Sequence, residues 1–495
     1  MTNLRPRAAE LLRLFLVPND PEVYPFQRYD GDPDEFLTRR DRQERVSQQE
    51  LRVYSRAFSN LIPMYRRYLT RWIGDTPLNQ VQKLGILTLY RQLVTASQAS
   101  ILSCYDLARF GVDEQEKAED VLQSLWHGVN ELVTFLFKFH RDSDDDILRG
   151  SIKLAGTIVG ILLTEAIRLS SASPPMASKH RIMLMEILGD LSRYLIVADK
   201  EDWRDVAHTW FLWVSDEIPT TGRIHHHLAI TSRRWLRKGF YLVKSLCVAT
   251  QFEKSPESIE MILENPPNGT SPAELAFLKV HSITAGIIEG DLDKEMDGFI
   301  SQLGPYIESS WPEPGYEVAI MTCCSILGYS NSAQLQDLTE MTKDAIRLGN
   351  LIHCVVLERA GDPKVFPYFH VFLVFLCFSP GAMDHPDLGI PKGLVVNMLN
   401  RMLGSYTKDL LHLKMERFPR PEGRGSQRPF PDDYGLRGLA WTENYYPKDW
   451  FSCTFDIAEK HPGVADEEYV ERVLWIAFRM VNRASWLGYS GSFIL

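Results

Sequence analysis

The sequence predicts an all-α protein, and three observations carry that reading. Apolar residues recur at three- and four-residue intervals along nearly the whole chain, as in Leu51, Tyr54, Phe58, Leu61, Ile62, Tyr65 and Leu69, which places them on one helix face. Strand-like alternation with a period of two is hard to find. Between Met183 and Phe252 the apolar segments shorten and come in pairs, the rhythm of a helix-pair repeat.

Taken in order, the N-terminal part reads as long helical hairpins. Helices are expected over about Ser47–Trp72, Leu78–Phe110, Gln115–His140 and Ile147–Leu169, separated by short polar or Gly/Pro connections. The paired segments follow: GDLSRYLIV, DWRDVAHTWFLWVSD, GRIHHHLAI and RKGFYLVKSLCVATQF. Their pattern is tetratricopeptide-like. Small residues (Gly189, Ala207, Ala229, Gly239) stand where two helices cross closely, and large ones (Leu191, Tyr194, Trp210, Leu228, Tyr241) fill the space between pairs.

A linker over Glu264–Pro272 ends in a helix-start signal, with Ser271 as N-cap, Pro272 in the first turn and Glu274 closing a capping box. It divides the chain into residues 1–263, a tetratricopeptide-like helical domain, and 273–495, a second helical domain. Breaks are expected in the second domain at Gly304–Gly315 and Ser379–Pro391. A third segment, FPRPEGRGSQRPFP over 418–431, is rich in Pro, Gly and Arg and is expected to be mobile or ordered by a partner.

At 495 residues the chain is too long for one core, and a content of 45% apolar and 24% charged residues suits folded, water-facing domains. The formal net charge of −10 argues against indiscriminate coating of nucleic acid, though not against one basic face. Seven scattered cysteines without CxxC spacing read as buried thiols. The first residues, MTNLRPRAAELLRLFL, lack a long apolar run and a small-residue cleavage site, so no signal peptide is expected. The longest apolar stretches, Ala155–Leu163 and Val365–Phe378, fall short of the roughly 20 residues of a membrane span. The expected location is the nucleus, the cytoplasm or both.

Catalytic and metal signatures are missing: no GxxxxGK[ST], GxGxxG after a strand, HExxH or GxSxG occurs. Adjacent residues on a helix point about 100° apart, so the run His225, His226, His227 reads as packing or surface rather than as a metal site. The acidic run Asp142, Asp144, Asp145 and Asp146 reads as a solvated helix start. Neither an enzyme, nor a cofactor, nor a small-molecule substrate is expected.

Two patterns point to binding. Arg223, Arg233, Arg234, Arg237, Lys238 and Lys244 occur with no acidic residue between Glu217 and Glu253, interleaved with Trp235, Phe240 and Tyr241. Such a stripe fits RNA or single-stranded DNA, by phosphate charge and base stacking, or equally a solvated helix face over buried aromatics. The neighbours Arg193 and Tyr194 can form a guanidinium fork with a phenol for a phosphate, although on an amphipathic helix Tyr194 reads more simply as core and Arg193 as surface.

Several of these segments together resemble one family, the telomerase-associated "ever shorter telomeres" protein and the Smg five, six and seven adaptors of nonsense-mediated decay. The resemblance rests on GDLSRY (Gly189–Tyr194), GRIHHHLAI (Gly222–Ile230), which is similar to the family's G-x-x-x-N/H-x-L-A repeat, and FYLVKSL (Phe240–Leu246). It continues in FPYFHVFLVFL (Phe366–Leu376), DYGLRGLAWTENYYPKDWF (Asp433–Phe451) and RVLWIAFRMVNRASWLGY (Arg472–Tyr489), and so covers Met183 to the C-terminus. It implies a 14-3-3-like arrangement completed by the paired helices, then a helical-hairpin domain of DNA- or RNA-binding type.

The resemblance also implies a phosphoserine pocket in which the Arg193–Tyr194 pair takes part. The pocket's other basic residue is expected soon after an L-W pair; in LWHGVNELVTFLFK (Leu125–Lys138) Glu131 stands in its place, and Lys138 is the candidate substitute. A carboxylate there repels a phosphorylated ligand. A PIN-type nuclease domain, carried by some relatives, is not expected here. The implied function is a non-catalytic adaptor of RNA–protein complexes in telomere maintenance or mRNA surveillance, with a phosphorylated protein partner as one ligand. The alternative is a lineage-specific paralogue serving as a protein–protein scaffold without phosphoserine or nucleic-acid binding.

Overall fold

A computed structural model describes residues 33–452 and 466–495, apart from 44, 73–79, 140–145, 170–172, 199–201, 265, 267–268, 336–338 and 421–428. It is all-α, with nineteen α-helices among the described residues and one two-stranded hairpin, β1 (Gly488–Tyr489) with β2 (Phe493–Ile494). The chain divides into two compact units, residues 1–214 and 215–495.

In the first unit the apolar periodicity becomes six helices: α1 (Pro33–Asp41), α2 (Gln48–Trp72), α3 (Gln80–Arg109), α4 (Gln115–Phe139), α5 (Asp146–Arg168) and α6 (Pro174–Ala198), followed by most of α7 (Arg204–Glu217). Helix α2 packs along α3, α3 along α4, and α5 along α6. Gly189 of α6 is small for a reason: a Cβ there would lie 2.7 Å from the Phe211 ring of α7. Helix α5 holds a run, Leu148–Arg168, that is long and apolar enough to cross a membrane, which the reading of 155–163 alone did not register. In the structure 61% of its most apolar window is buried, as in a core helix.

The second unit begins with α8 (Gly222–Thr231), α9 (Trp235–Cys247), α10 (Ser255–Glu264), α11 (Pro272–Thr284) and α12 (Leu292–Ser310). Then come α13 (Pro312–Ile326), α14 (Glu340–Leu357), α15 (Phe366–Phe378), α16 (Lys392–Ser405), α17 (Leu411–Lys414), α18 (Pro431–Leu436) and α19 (Asp466–Val481). Helix α15 is buried at every position from Phe366 to Cys377 and packs against α13 and α19. At about 1.5–3 kcal/mol for each large apolar side chain fully buried, this helix anchors the unit.

Three local expectations are corrected. The compact units do not part at 264–272, because Trp235, Leu236, Phe240 and Val243 of α9 belong to one continuous core with Phe277, Leu303, Phe369 and Leu474. Ser271 does cap α11 by position, but its side chain makes no capping bond, and Glu274 bonds Tyr306 and the Leu236 N–H instead. The break at 304–315 shrinks to Trp311, since α12 continues through Pro305 to bury Tyr306 and Ile307.

Candidate functional site

The structure divides the expected basic stripe. Arg223 and Arg233 are exposed, and Lys238 sits 4.7 Å over the Trp235 ring. Arg234 and Arg237, by contrast, turn toward three carboxylates of α11 and α13. Arg237 Nε donates to Glu317 at 2.6 Å and its Nη2 to Glu313 at 3.1 Å. Arg234 Nη1 donates to Glu313 at 2.8 Å, and its Nη2 lies 3.6 Å from both Glu274 and Glu317. Glu317 is fully buried. Burial works against the Arg237 charge, but Glu317, Tyr316 and Glu313 outweigh it and hold the guanidinium protonated. These two arginines are structural counter-ions, not free phosphate ligands.

Lys244 is buried as well: its Nζ donates to the Tyr434 carbonyl at 3.1 Å. Burial, with the Arg437 guanidinium second, lowers its pKa to about 7. It faces the segment Asp433–Phe451 rather than solvent, so the stripe reduces to Arg223, Arg233 and Lys238.

The phosphate-fork candidate is equally occupied. Arg193 reaches Asp190 Oδ1 through Nε and Nη2 (3.4 and 3.3 Å) and lies 4.7 Å over the Tyr194 ring. Tyr194 donates to Asn130 Oδ1 at 2.6 Å, and burial raises its pKa. Glu131 lies 3.6 Å from Arg66, so acid and base alternate here. The side chain of Lys138 lies outside the described residues, as does the acidic run at 142–145. A phosphate approaching Arg193 meets the Asp190 carboxylate beside it, which repels it.

The histidine run diverges as helix geometry requires. His225 is buried and its Nε2–H donates to the Pro219 carbonyl at 2.8 Å, while His226 Nε2 pairs with Ser258 Oγ at 2.9 Å. Burial lowers the His225 pKa to about 3.

Sequence reasoning missed the polar centre of the second unit. His370 of α15, Asp432 and Asp433 of α18 and Arg472 of α19 are all buried, and the first three hold ligand atoms within 4.8 Å of one another. A cation fits poorly there, because the carboxylates already accept hydrogen bonds. Asp432 accepts from His370 Nδ1 and, at 2.6 Å, from Tyr469. Asp433 accepts from the Phe430 N–H (2.9 Å), Trp450 Nε1 (3.1 Å) and Tyr446 (3.1 Å), with Arg472 3.6 Å away. Arg472 donates to Tyr445, whose hydroxyl faces His370 Nε2, closing the chain. The guanidinium also lies over the Phe418 ring at 4.0 Å. The signal in the sequence was polar residues inside apolar runs: His370 in α15 and Arg472 in α19.

These features define a helical scaffold of stacked pairs in which Arg234 and Arg237 pair with buried Glu317, and Arg472 lies beside buried Asp433. No profile of a known protein family matches the chain. A stretch of 102 residues, 20% of the chain, is 26% identical to EST/SMG-like protein 2 of Saccharomyces cerevisiae (strain ATCC 204508 / S288c). That match spans 8% of the relative's length, so the chain corresponds to a small part of it. Among solved structures, a chain in the crystal structure of Est1 and Cdc13 shares the fold with a TM-score of 0.53 and 10% identity, over 86% of this chain and 94% of that one. A chain of the C. elegans SMG5–SMG7 complex aligns with a TM-score of 0.42 and 12% identity, over 83% and 98%. The chain thus shares the fold of the Est1 structure, and the fold class is the all-α one that the resemblance implied.

Proposed function

We propose that the protein is a non-catalytic adaptor of RNA–protein complexes, acting in telomere maintenance through telomerase association or in nonsense-mediated mRNA decay, from the nucleus, the cytoplasm or both. The observation that carries this reading is the Est1-like helical architecture, in which the ionic clusters around Glu317 and Asp433 are engaged in packing the second unit. Protein partners are favoured over nucleic acid: Arg234, Arg237 and Lys244 are turned inward, and Arg193 is held by Asp190. Nucleic-acid contact rests on Arg223, Arg233 and Lys238. The alternative, a protein–protein scaffold with neither phosphoserine nor nucleic-acid binding, is favoured by those same internal pairings.

A gel shift with single-stranded DNA and RNA across a salt series separates the two. The adaptor with a nucleic-acid face gives affinity that falls with salt and with loss of Arg223, Arg233 and Lys238, the counterion-release slope dropping by about one for each phosphate contact removed. Flat salt dependence or no shift leaves the scaffold reading. A phosphoserine peptide that binds no better than its unmodified form removes the Arg193 pocket from the account.

A further inference from the structure

The second unit carries a half-open cleft of about 230 Å³ between the start of α15, the end of α16 and the start of α19. Its apolar lining comes from Pro363, Phe366, Tyr406 and Val470, and its acidic lining from Asp466 and Glu467. Both carboxylates are exposed. The basic side chain in the lining, Lys408, lies 3.4 Å from Glu471 and is neutralised by it. Asp466 and Glu467 stand in the first turn of α19, but a helix N-terminus offers only about half a positive charge against two carboxylates, so the cleft stays negative. Its volume is below the roughly 300–1,000 Å³ of small-molecule sites and suits one long side chain.

We infer that this cleft docks an arginine side chain presented by a protein partner, its methylene stem on Phe366 and Val470 and its guanidinium between the aromatic rings and the two carboxylates. Arginine fits better than lysine because a planar guanidinium stacks on a ring while its fork meets carboxylates. The inference deepens the adaptor reading by naming the chemistry of one partner contact. A short apolar recess accounts for the stem, and charge complementarity accounts for the head.

The test is a titration of the full chain, labelled at valine methyls, with N-acetyl-arginine methylamide and with its uncharged citrulline counterpart. The Val470 methyl signal is expected to shift saturably with the arginine probe, with a dissociation constant on the order of 1–10 mM for so small a ligand, and not with citrulline. Asp466→Asn combined with Glu467→Gln is expected to weaken binding about five- to twenty-fold. Ser405→Trp, which fills the cleft from an exposed position and leaves both carboxylates in place, should abolish the shift; circular dichroism checks that each variant is folded. Equal shifts from the two probes, no saturable shift at Val470, or unchanged affinity in the folded variants overturns the inference. Because the titration reads this cleft alone, its failure is distinct from failure of the adaptor reading, which the recovery of bound partners decides.

Discussion

Replacing Arg237 by alanine discriminates sharply between a structural and a ligand-binding arginine. The guanidinium donates to Glu317 at 2.6 Å and to Glu313 at 3.1 Å, and Glu317 is fully buried. Removing it leaves Arg234, 3.6 Å from Glu317 and one third exposed, as the remaining counter-ion. Breaking a buried pair by deleting one partner costs about 3–5 kcal/mol, because the other charge stays in a low-dielectric interior. Arg234 offsets part of this, so Arg237→Ala is expected to cost about 2–4 kcal/mol. At about 2 °C per kcal/mol for a unit of this size, the unfolding midpoint falls by about 4–8 °C. Removing both charges with Arg237→Met and Glu317→Leu should recover most of the loss, since apolar replacements of buried pairs are often neutral. The assay is thermal unfolding followed by circular dichroism, beside a single-strand gel shift. An unchanged midpoint together with lost nucleic-acid binding would refute the structural assignment.

Further outcomes follow from the same geometry. Burial lowers the pKa of His281 to about 4 and of His353 to about 3, as it does for His225. Their folded values lie below the unfolded one near 6.5, so the second unit loses stability as pH falls below about 6.5, by up to about 1.4 kcal/mol per pH unit for each histidine. A midpoint that stays flat from pH 7.5 to 5 contradicts their burial as neutral rings. Gly438 has φ +91° and a Cβ there would lie 2.3 Å from the Pro219 carbonyl oxygen, whereas Gly361 has φ +94° with open space. Gly438→Ala should therefore lower stability by about 1–3 kcal/mol more than Gly361→Ala in denaturant titration; equal effects would show that the close approach is relieved. Asp432→Ala orphans His370 and Tyr469 and is expected to cost about 3 kcal/mol or more, while a chelator leaves the parent midpoint unchanged. A chelator-induced drop restored by a divalent cation would make the cluster a metal site after all.

The helices were legible because their signal is local. The expected hairpin helix Ser47–Trp72 appears as Gln48–Trp72, and Gln115–His140 as Gln115–Phe139. Gly189 and Gly239 were rightly read as close-approach positions, the latter against Leu278. Partners distant in sequence were not legible. Arg234 and Arg237 looked unopposed because no acid stands near them, yet their counter-ions Glu313 and Glu317 lie some 80 positions on and reach them only through tertiary packing. The same cause undid the capping box: Glu274 is drawn off by Tyr306 and the Leu236 N–H. The polar centre around His370 and Asp432 joins residues 62 positions apart and has no local spacing to betray it. The likeness of FPYFHVFLVFL and DYGLRGLAW to the family marked both segments without showing that they meet.

The account stands on partner binding through protein surfaces, and crosslinking purification of the full chain tests it most directly, with bound protein, RNA and DNA recovered separately before and after nuclease treatment. The predicted result is a set of protein partners that survives nuclease. Loss of every partner protein on nuclease digestion, or turnover of a substrate traced to side chains of this polypeptide, would contradict it.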